Sequence, residues 1–256
     1  MVAVFTAACT NEQEFIREEA SQQVTVSLSA ETNYVDEQQP ISSMNAVNRT
    51  ASTAILSRYV VEVYADEACQ TPVYVFGSTN HKEQSTPDFQ LTLDRTKKYT
   101  CLFWADDNLT SIYDVSTLIP IKLRANQLPG EGFYAKVTID GVSTTQSATM
   151  RRAVSKIIVS DKKGVEAGQT LLLKYSQSST FNLADGTVGT PVNTETSIIT
   201  TATVADGEVA AFYLLSTSTV ERFSLTFNYN SQGEKKVENI PFQANHRTHV
   251  KGSITE

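Results

Sequence analysis

Along most of its length the chain alternates apolar and polar residues with a period of two. In residues 24–30, VTVSLSA, the side chains of Val24, Val26 and Leu28 fall on one face and those of Thr25, Ser27 and Ser29 on the other. Residues 89–93, FQLTL, and 223–229, FSLTFNY, repeat the pattern. Successive side chains on a strand point to opposite sides of the sheet, so these runs predict strands with one buried face. Further strands are expected at 58–64, 72–76, 98–106, 132–139, 153–160, 170–176, 197–204, 209–215, 235–240 and 247–255. All are rich in Val, Ile, Thr, Tyr and Phe, which pack well on a pleated surface.

Between the runs, IDGV, DKKG, ADGT, ADGE and SQGE set a polar residue beside or near glycine, a pairing that accepts the positive φ of tight turns. No stretch carries a convincing amphipathic helix, although 111–119, SIYDVSTLI, allows one or two helical turns. Many short strands separated by turns predict an all-β sandwich architecture. Residues 140–150, DGVSTTQSATM, are polar and Ser/Thr-rich and read as a junction between two strand-dense halves. The expected organisation is a signal remnant, lipid-attachment motif and tether over 1–22, one β-sandwich domain over 23–147 and a second over 148–256.

Composition narrows the function classes. The chain has 256 residues, 40% hydrophobic and 19% charged, which is globular, and nothing after residue 8 approaches the apolar length of a membrane span. A net charge of −7 gives no basic footprint for nucleic acid. The opening residues, MVAVFTAA before Cys9, resemble the end of a secretory signal, with Thr6-Ala7-Ala8 as a lipobox and Cys9 as the lipidated residue. The start codon is then expected upstream. A first strand with a buried free cysteine is the other reading. Residues 10–23, TNEQEFIREEASQQ, hold only Phe15 and Ile16 as large apolar groups and read as an acidic tether or a frayed terminus.

Catalytic constellations are scarce. His246 and His249 stand three apart in NHRTHV and point to opposite faces of a strand, so they cannot chelate one ion from it, and His81 is remote in sequence. No GxSxG, P-loop, GxGxxG or CxxC motif occurs. Asp106, Asp107 and Asn108 offer oxygen donors without the spacing of a Ca²⁺ loop, and a turn is the better reading. A glycosidase carboxylate pair needs no local motif and stays open. Trp104, with Tyr99 and Phe103, is either a sugar-stacking platform or, as is usual within a sandwich strand, core. A disulfide between Cys69 and Cys101 is permitted in an oxidising compartment. The expectation is no enzyme, no metal and no cofactor.

Several pieces in order carry a family resemblance: NRTAS, RYVVEVY, YTCLFWAD, LPGEGFYAKVTI and, at the midpoint, MRRAVSKIIV. With the acylated cysteine they make the chain similar to the fimbrillin superfamily, the lipoprotein subunits of type V pili in Gram-negative bacteria. In that family the second domain commonly opens on a basic-Arg-Ala-Val-x-Lys-Ile strand, matched here by Arg151, Arg152, Ala153, Val154, Lys156 and Ile157. The resemblance implies two tandem Greek-key, transthyretin-like sandwiches on an outer-membrane lipid anchor at Cys9. It also implies that a trypsin-like protease cuts after a basic residue beyond the first strand. Arg49 lies there, whereas Arg17 precedes the strand. Removal of the strand bearing Val24, Val26 and Leu28 would open a groove for a neighbouring pilus subunit, which would add its own strand. The alternative reading is a surface lipoprotein that binds glycans or other ligands for nutrient uptake. An exposed aromatic cluster would mark a glycan binder, and a displaceable terminal strand over an apolar groove would mark a pilus subunit.

Overall fold

The period-two runs form strands. The computed structural model describes residues 14–15, 21–31, 33–37, 56–107 and 112–254, and no helix occurs among them. In chain order the strands begin with β1 (Glu14–Phe15), β2 (Ser21–Ala30), β3 (Val35–Glu37), β4 (Arg58–Tyr64), β5 (Val73–Tyr74), β6 (His81–Gln84) and β7 (Asp88–Asp94). Next come β8 (Lys98–Asp106), β9 (Tyr113–Asp114), β10 (Ile121–Leu123), β11 (Gly132–Asp140) and β12 (Thr145–Arg152). The rest are β13 (Val154–Asp161), β14 (Thr170–Gln177), β15 (Thr180–Asn182), β16 (Thr187–Val188), β17 (Val192–Ile199), β18 (Glu208–Leu215), β19 (Glu221–Tyr229), β20 (Glu234–Phe242) and β21 (His246–Gly252).

The first sheet runs β6-β4-β8-β11-β12-β2-β7. β11 and β12 pair only through Phe133 with Arg152 and Tyr134 with Arg151, so the sheet folds at that corner. Its two arms face each other across one core. Val24, Val26, Leu28, Phe89, Leu91, Leu93, Ala148 and Met150 meet Val61, Val63, Cys101, Phe103 and Phe133 there. A second sandwich packs sheet β18-β13-β21-β3 on sheet β17-β14-β19-β20, around Ile157, Leu171, Leu173, Phe212, Leu225 and Phe227.

A small third sheet, β16-β15-β10-β9, takes strands from both halves of the chain, with Ile121 opposite Phe181. It helps to enclose a third apolar cluster on the outer side of β4 and β8, where Val60, Leu102, Trp104, Tyr113, Leu118 and Ile121 meet Ala153, Val154, Phe181 and Leu215. β8 is therefore buried on both faces along nearly all its length, which explains its almost unbroken apolar sequence.

Four local expectations change. Residues 140–150 are a turn followed by β12, whose Ala148 and Met150 point into the first core while Thr145, Ser147 and Thr149 stay exposed. The alternation is there, but small and polar residues disguise it. The division expected at 147/148 thus falls inside β12, and the chain passes from one sandwich to the other at Ala153. The strand expected at 197–204 lies at 192–199, because the Thr200 hydroxyl donates to the Glu166 carbonyl (2.6 Å) and turns the chain out of the sheet. At 72–76 the strand shrinks to Val73–Tyr74, with Pro72 in an isolated bridge to Tyr64, and within 111–119 the described residues hold the short strand β9 rather than a helical turn.

Candidate assembly site at the N-terminal segment

The segment predicted to be displaceable is the centre of its arm. β2 lies between β7, antiparallel, with Val26 opposite Phe89, and β12, parallel, with Leu28 aligned on Ala148. Val24 and Val26 are fully buried and Leu28 is nearly so. Such a strand supplies hydrogen bonds on both edges and three apolar side chains, each worth about 1.5–3 kcal/mol on burial. Beyond β2 the Glu31 amide donates to the Met150 carbonyl (2.8 Å), and the chain then crosses to the second sandwich. There β3 pairs in parallel with β21, with Val35, Asp36 and Glu37 aligned on His246, Arg247 and Thr248. One N-terminal segment thus contributes a strand to each sandwich.

A buried charge cluster holds the crossing. Arg152, fully buried, continues the inward row of Ala148 and Met150 on β12. Its Nε donates to Glu131 Oε2 (2.7 Å), and its Nη1 donates to Asn245 Oδ1 (3.0 Å) and the Glu31 carbonyl (3.3 Å). The guanidinium lies 3.8 Å from the Tyr34 ring centroid and 4.8 Å from that of Phe133. Glu131 Oε1 accepts from the Tyr34 hydroxyl (2.7 Å) and the Tyr213 hydroxyl (3.2 Å). Burial first, and then the Glu131 carboxylate, raise the Tyr34 hydroxyl far above its ordinary range and push Tyr213 up to about 12. Arg152 Nη2 has no hydrogen-bond partner among the described residues.

The midpoint motif now has a physical reading. Arg151 is exposed, Arg152 is the clamp, Ala153 and Val154 fill the shared cluster, Lys156 lies over the Tyr213 ring and Ile157 enters the second core. Glu131, Tyr34, Tyr213 and Asn245 carried no sequence signal of their own. The inward parity of Arg152 was the one available hint.

The remaining candidates are structural. Asp106 ends β8 in a buried pair with Arg58 (2.8 and 2.6 Å) and also accepts from the Trp104 indole (2.8 Å). Burial works against the Arg58 charge, yet Asp106 holds it above the ordinary value. Trp104 is fully buried and packs edge-on against Tyr113, so it is core and no sugar platform. Gly132 fits beneath it, since a Cβ there would lie 2.5 Å from the indole ring.

Cys69 and Cys101 are both free, which corrects the disulfide expectation. Cys101 points into the first core and Cys69 into the third cluster, on the opposite side of the sheet. Burial raises both thiols, which keeps them protonated and unreactive. His81 Nδ1 sits 3.1 Å from Glu62, and both His246 and His249 lie on β21. Among the described residues no three His, Cys, Asp or Glu side chains gather as a metal site. Cys9 and Arg49 lie outside the described residues.

Comparison with known proteins places the chain. Residues 17–255 match the family of unknown function DUF6562. The chain belongs to that family. No curated protein matches it. Among solved structures, a candidate adhesin from Bacteroides ovatus superposes with a TM-score of 0.56 at 10% identity, over 92% of this chain and 89% of that one. The fimbrial anchor protein Mfa2 from Porphyromonas gingivalis gives 0.52 at 16% identity, over 85% and 82%. A candidate polysaccharide-binding protein from Bacteroides thetaiotaomicron gives 0.51 at 14%, over 84% and 78%. The DUF6562 chain therefore has a fimbrillin-like fold.

Proposed function

We propose that this DUF6562 protein is a non-enzymatic cell-surface subunit of a fimbria, held in the outer membrane through lipid on Cys9 and joined to other subunits by strand addition. The observation that carries the reading is the N-terminal segment. Residues 21–37 place a central strand in the first sandwich and an edge strand on the second, and all of them precede Arg49. A cut after Arg49 followed by loss of that segment would uncover the row opposite Val24, Val26 and Leu28 and free the edges of β7, β12 and β21. An incoming extended segment satisfies those edges by main-chain hydrogen bonds and fills the apolar row with alternate side chains.

The fold shared with a fimbrial anchor protein and candidate adhesins supports this reading. The glycan-binding alternative has less behind it. The large apolar side chains that stand exposed among the described residues are Val142, Val192, Ile199, Val204 and Val220, with no aromatic ring among them.

The test is limited digestion of the purified protein with an arginine-specific protease, followed by size analysis of wild type and Arg49→Ala. The expected result is cleavage after Arg49 in wild type only, release of the N-terminal fragment and growth of oligomers. Cleavage after Arg49 that leaves a stable monomer would overturn assembly by strand addition. Detergent-phase partitioning of the full-length protein, lost in Cys9→Ser, tests the anchor separately.

A further inference from the structure

The sheet edges of the second sandwich are not equally guarded. β20 carries Lys235 and Lys236, a register shift against β19, a left-handed Asn239 and Pro241. β18 has a register shift against β13 and commits Tyr213 to the Glu131 cluster. In the first sandwich, the edge strand β6 is four residues long with Lys82 and Glu83, and β7 is bracketed by Asp88 and Asp94. Charges, bulges, proline and short length are the devices by which an edge avoids pairing with another chain.

β17 has only one of them, a single charge. It runs eight residues, Val192–Ile199, in unbroken antiparallel register with β14, contains no Lys, Arg or Pro, and has Glu195 as its one charge. Among the described residues its other edge pairs with no strand. Its ends are apolar and open to solvent, Val192 at 53% and Ile199 at 65% exposure.

We propose that β17 is a self-association edge, pairing antiparallel with β17 of a second copy about a two-fold axis and joining two four-stranded sheets into one. The charge pattern selects the register. Aligned faces require residues of like parity to oppose each other. With Glu195 on the axis, two carboxylates face each other at short range, which is destabilising. With Thr196 on the axis, Glu195 meets Ser197 of the second copy, Thr194 meets Ile198 and Asn193 meets Ile199. Val192 then lies diagonally beside the second copy's Ile198, a residue that already packs on the second core. Val192 thus gains an apolar neighbour, Ile199 lies against Asn193, and no like charges are opposed. This contact uses neither β2 nor β3 and is independent of the N-terminal segment.

The test uses the full chain. Sedimentation velocity over a concentration series should show the mass rising toward that of a dimer, and Ser197→Glu, which sets a carboxylate against Glu195 of the second copy at both ends of the contact, should return it to monomer. In the Cys9→Ser background, where Cys69 and Cys101 are buried, Thr196→Cys should form a disulfide-linked dimer on mild oxidation. Directly opposed antiparallel residues have Cα atoms about 4.5–5.5 Å apart, within disulfide reach. Asn193→Cys should not link, because its two copies stand six strand positions, about 20 Å, apart. A wild type that stays monomeric with no Thr196→Cys link, or an Asn193→Cys link as efficient as that of Thr196→Cys, would overturn the proposal.

Discussion

Tyr175 shows how one buried hydroxyl sets a response to pH. Its ring stacks on Phe212 at 4.5 Å, it is 4% exposed, and its hydroxyl has no hydrogen-bond partner among the described residues. Burial alone pushes it up to about 12, from an ordinary value of about 10. A tyrosine charges on losing its proton, and the unfolded chain loses it first. The stability linked to this group is therefore complete below pH 10 and falls as the pH rises through 12. Tyr213, also raised to about 12, acts in the same direction. Tyr175→Phe keeps the stacked ring and removes the unsatisfied oxygen. Its urea midpoint at pH 7 is expected to equal or exceed that of wild type, with a gain of up to about 1 kcal/mol. Its decline between pH 7 and pH 11 should be shallower. A midpoint at pH 7 lower by more than about 1 kcal/mol would mean that the hydroxyl is satisfied after all.

At the scale of elements, β12 is the segment where pattern and structure part. Its Ser and Thr content reads as linker, yet Thr145 through Met150 pair in parallel with Thr25 through Ala30 of β2. Amide exchange in native protein should protect residues 146–150 to the same degree as β2, since the two strands share one ladder and open together. Exchange of these amides as fast as in an exposed loop would refute the pairing. Proteases should likewise spare β12, and the exposed turn around Val142 is the only part of 140–150 open to them. The crossing segment from Glu31 to Glu37 gives the opposite lesson. Three acidic and apolar residues make a strand there because β21 offers an edge and because Arg152, Glu131 and Tyr34 fix the path toward it.

At the scale of the whole molecule, the third cluster ties the two sandwiches together. Phe181, on β15 from the second half, is fully buried against Ile121 and Tyr134 of the first. The single tryptophan, Trp104, lies in the same cluster and reports on it directly. Wild-type unfolding should therefore show coincident transitions by Trp fluorescence and far-UV circular dichroism. Phe181→Ala should cost about 3–5 kcal/mol by the loss of a large buried ring. Its fluorescence transition should also move ahead of the circular dichroism transition, because the shared cluster loosens before the two sandwich cores. A fluorescence midpoint unchanged in Phe181→Ala would show that the cluster does not couple the halves.

Most of the long strands were legible from alternation, because the side-chain period of a strand is local and each run of five or more residues states which face is buried. β4 and β8 match their expected bounds residue for residue. The all-β class, the core positions of Val24, Val26 and Leu28, and the core role of Trp104 followed from the same local information. The pairings did not. That β2 sits between β7 and β12, that β3 joins the second sandwich, and that β9, β10, β15 and β16 form one sheet all depend on contacts between residues far apart in the chain. Strands of two or three residues carry no period to read, and a hydrogen-bonded edge leaves no mark in side-chain chemistry. The fate of the cysteines was decided in the same way: sequence permits Cys69 and Cys101 to bond, and only the packed sheet between them sends their side chains into different cores.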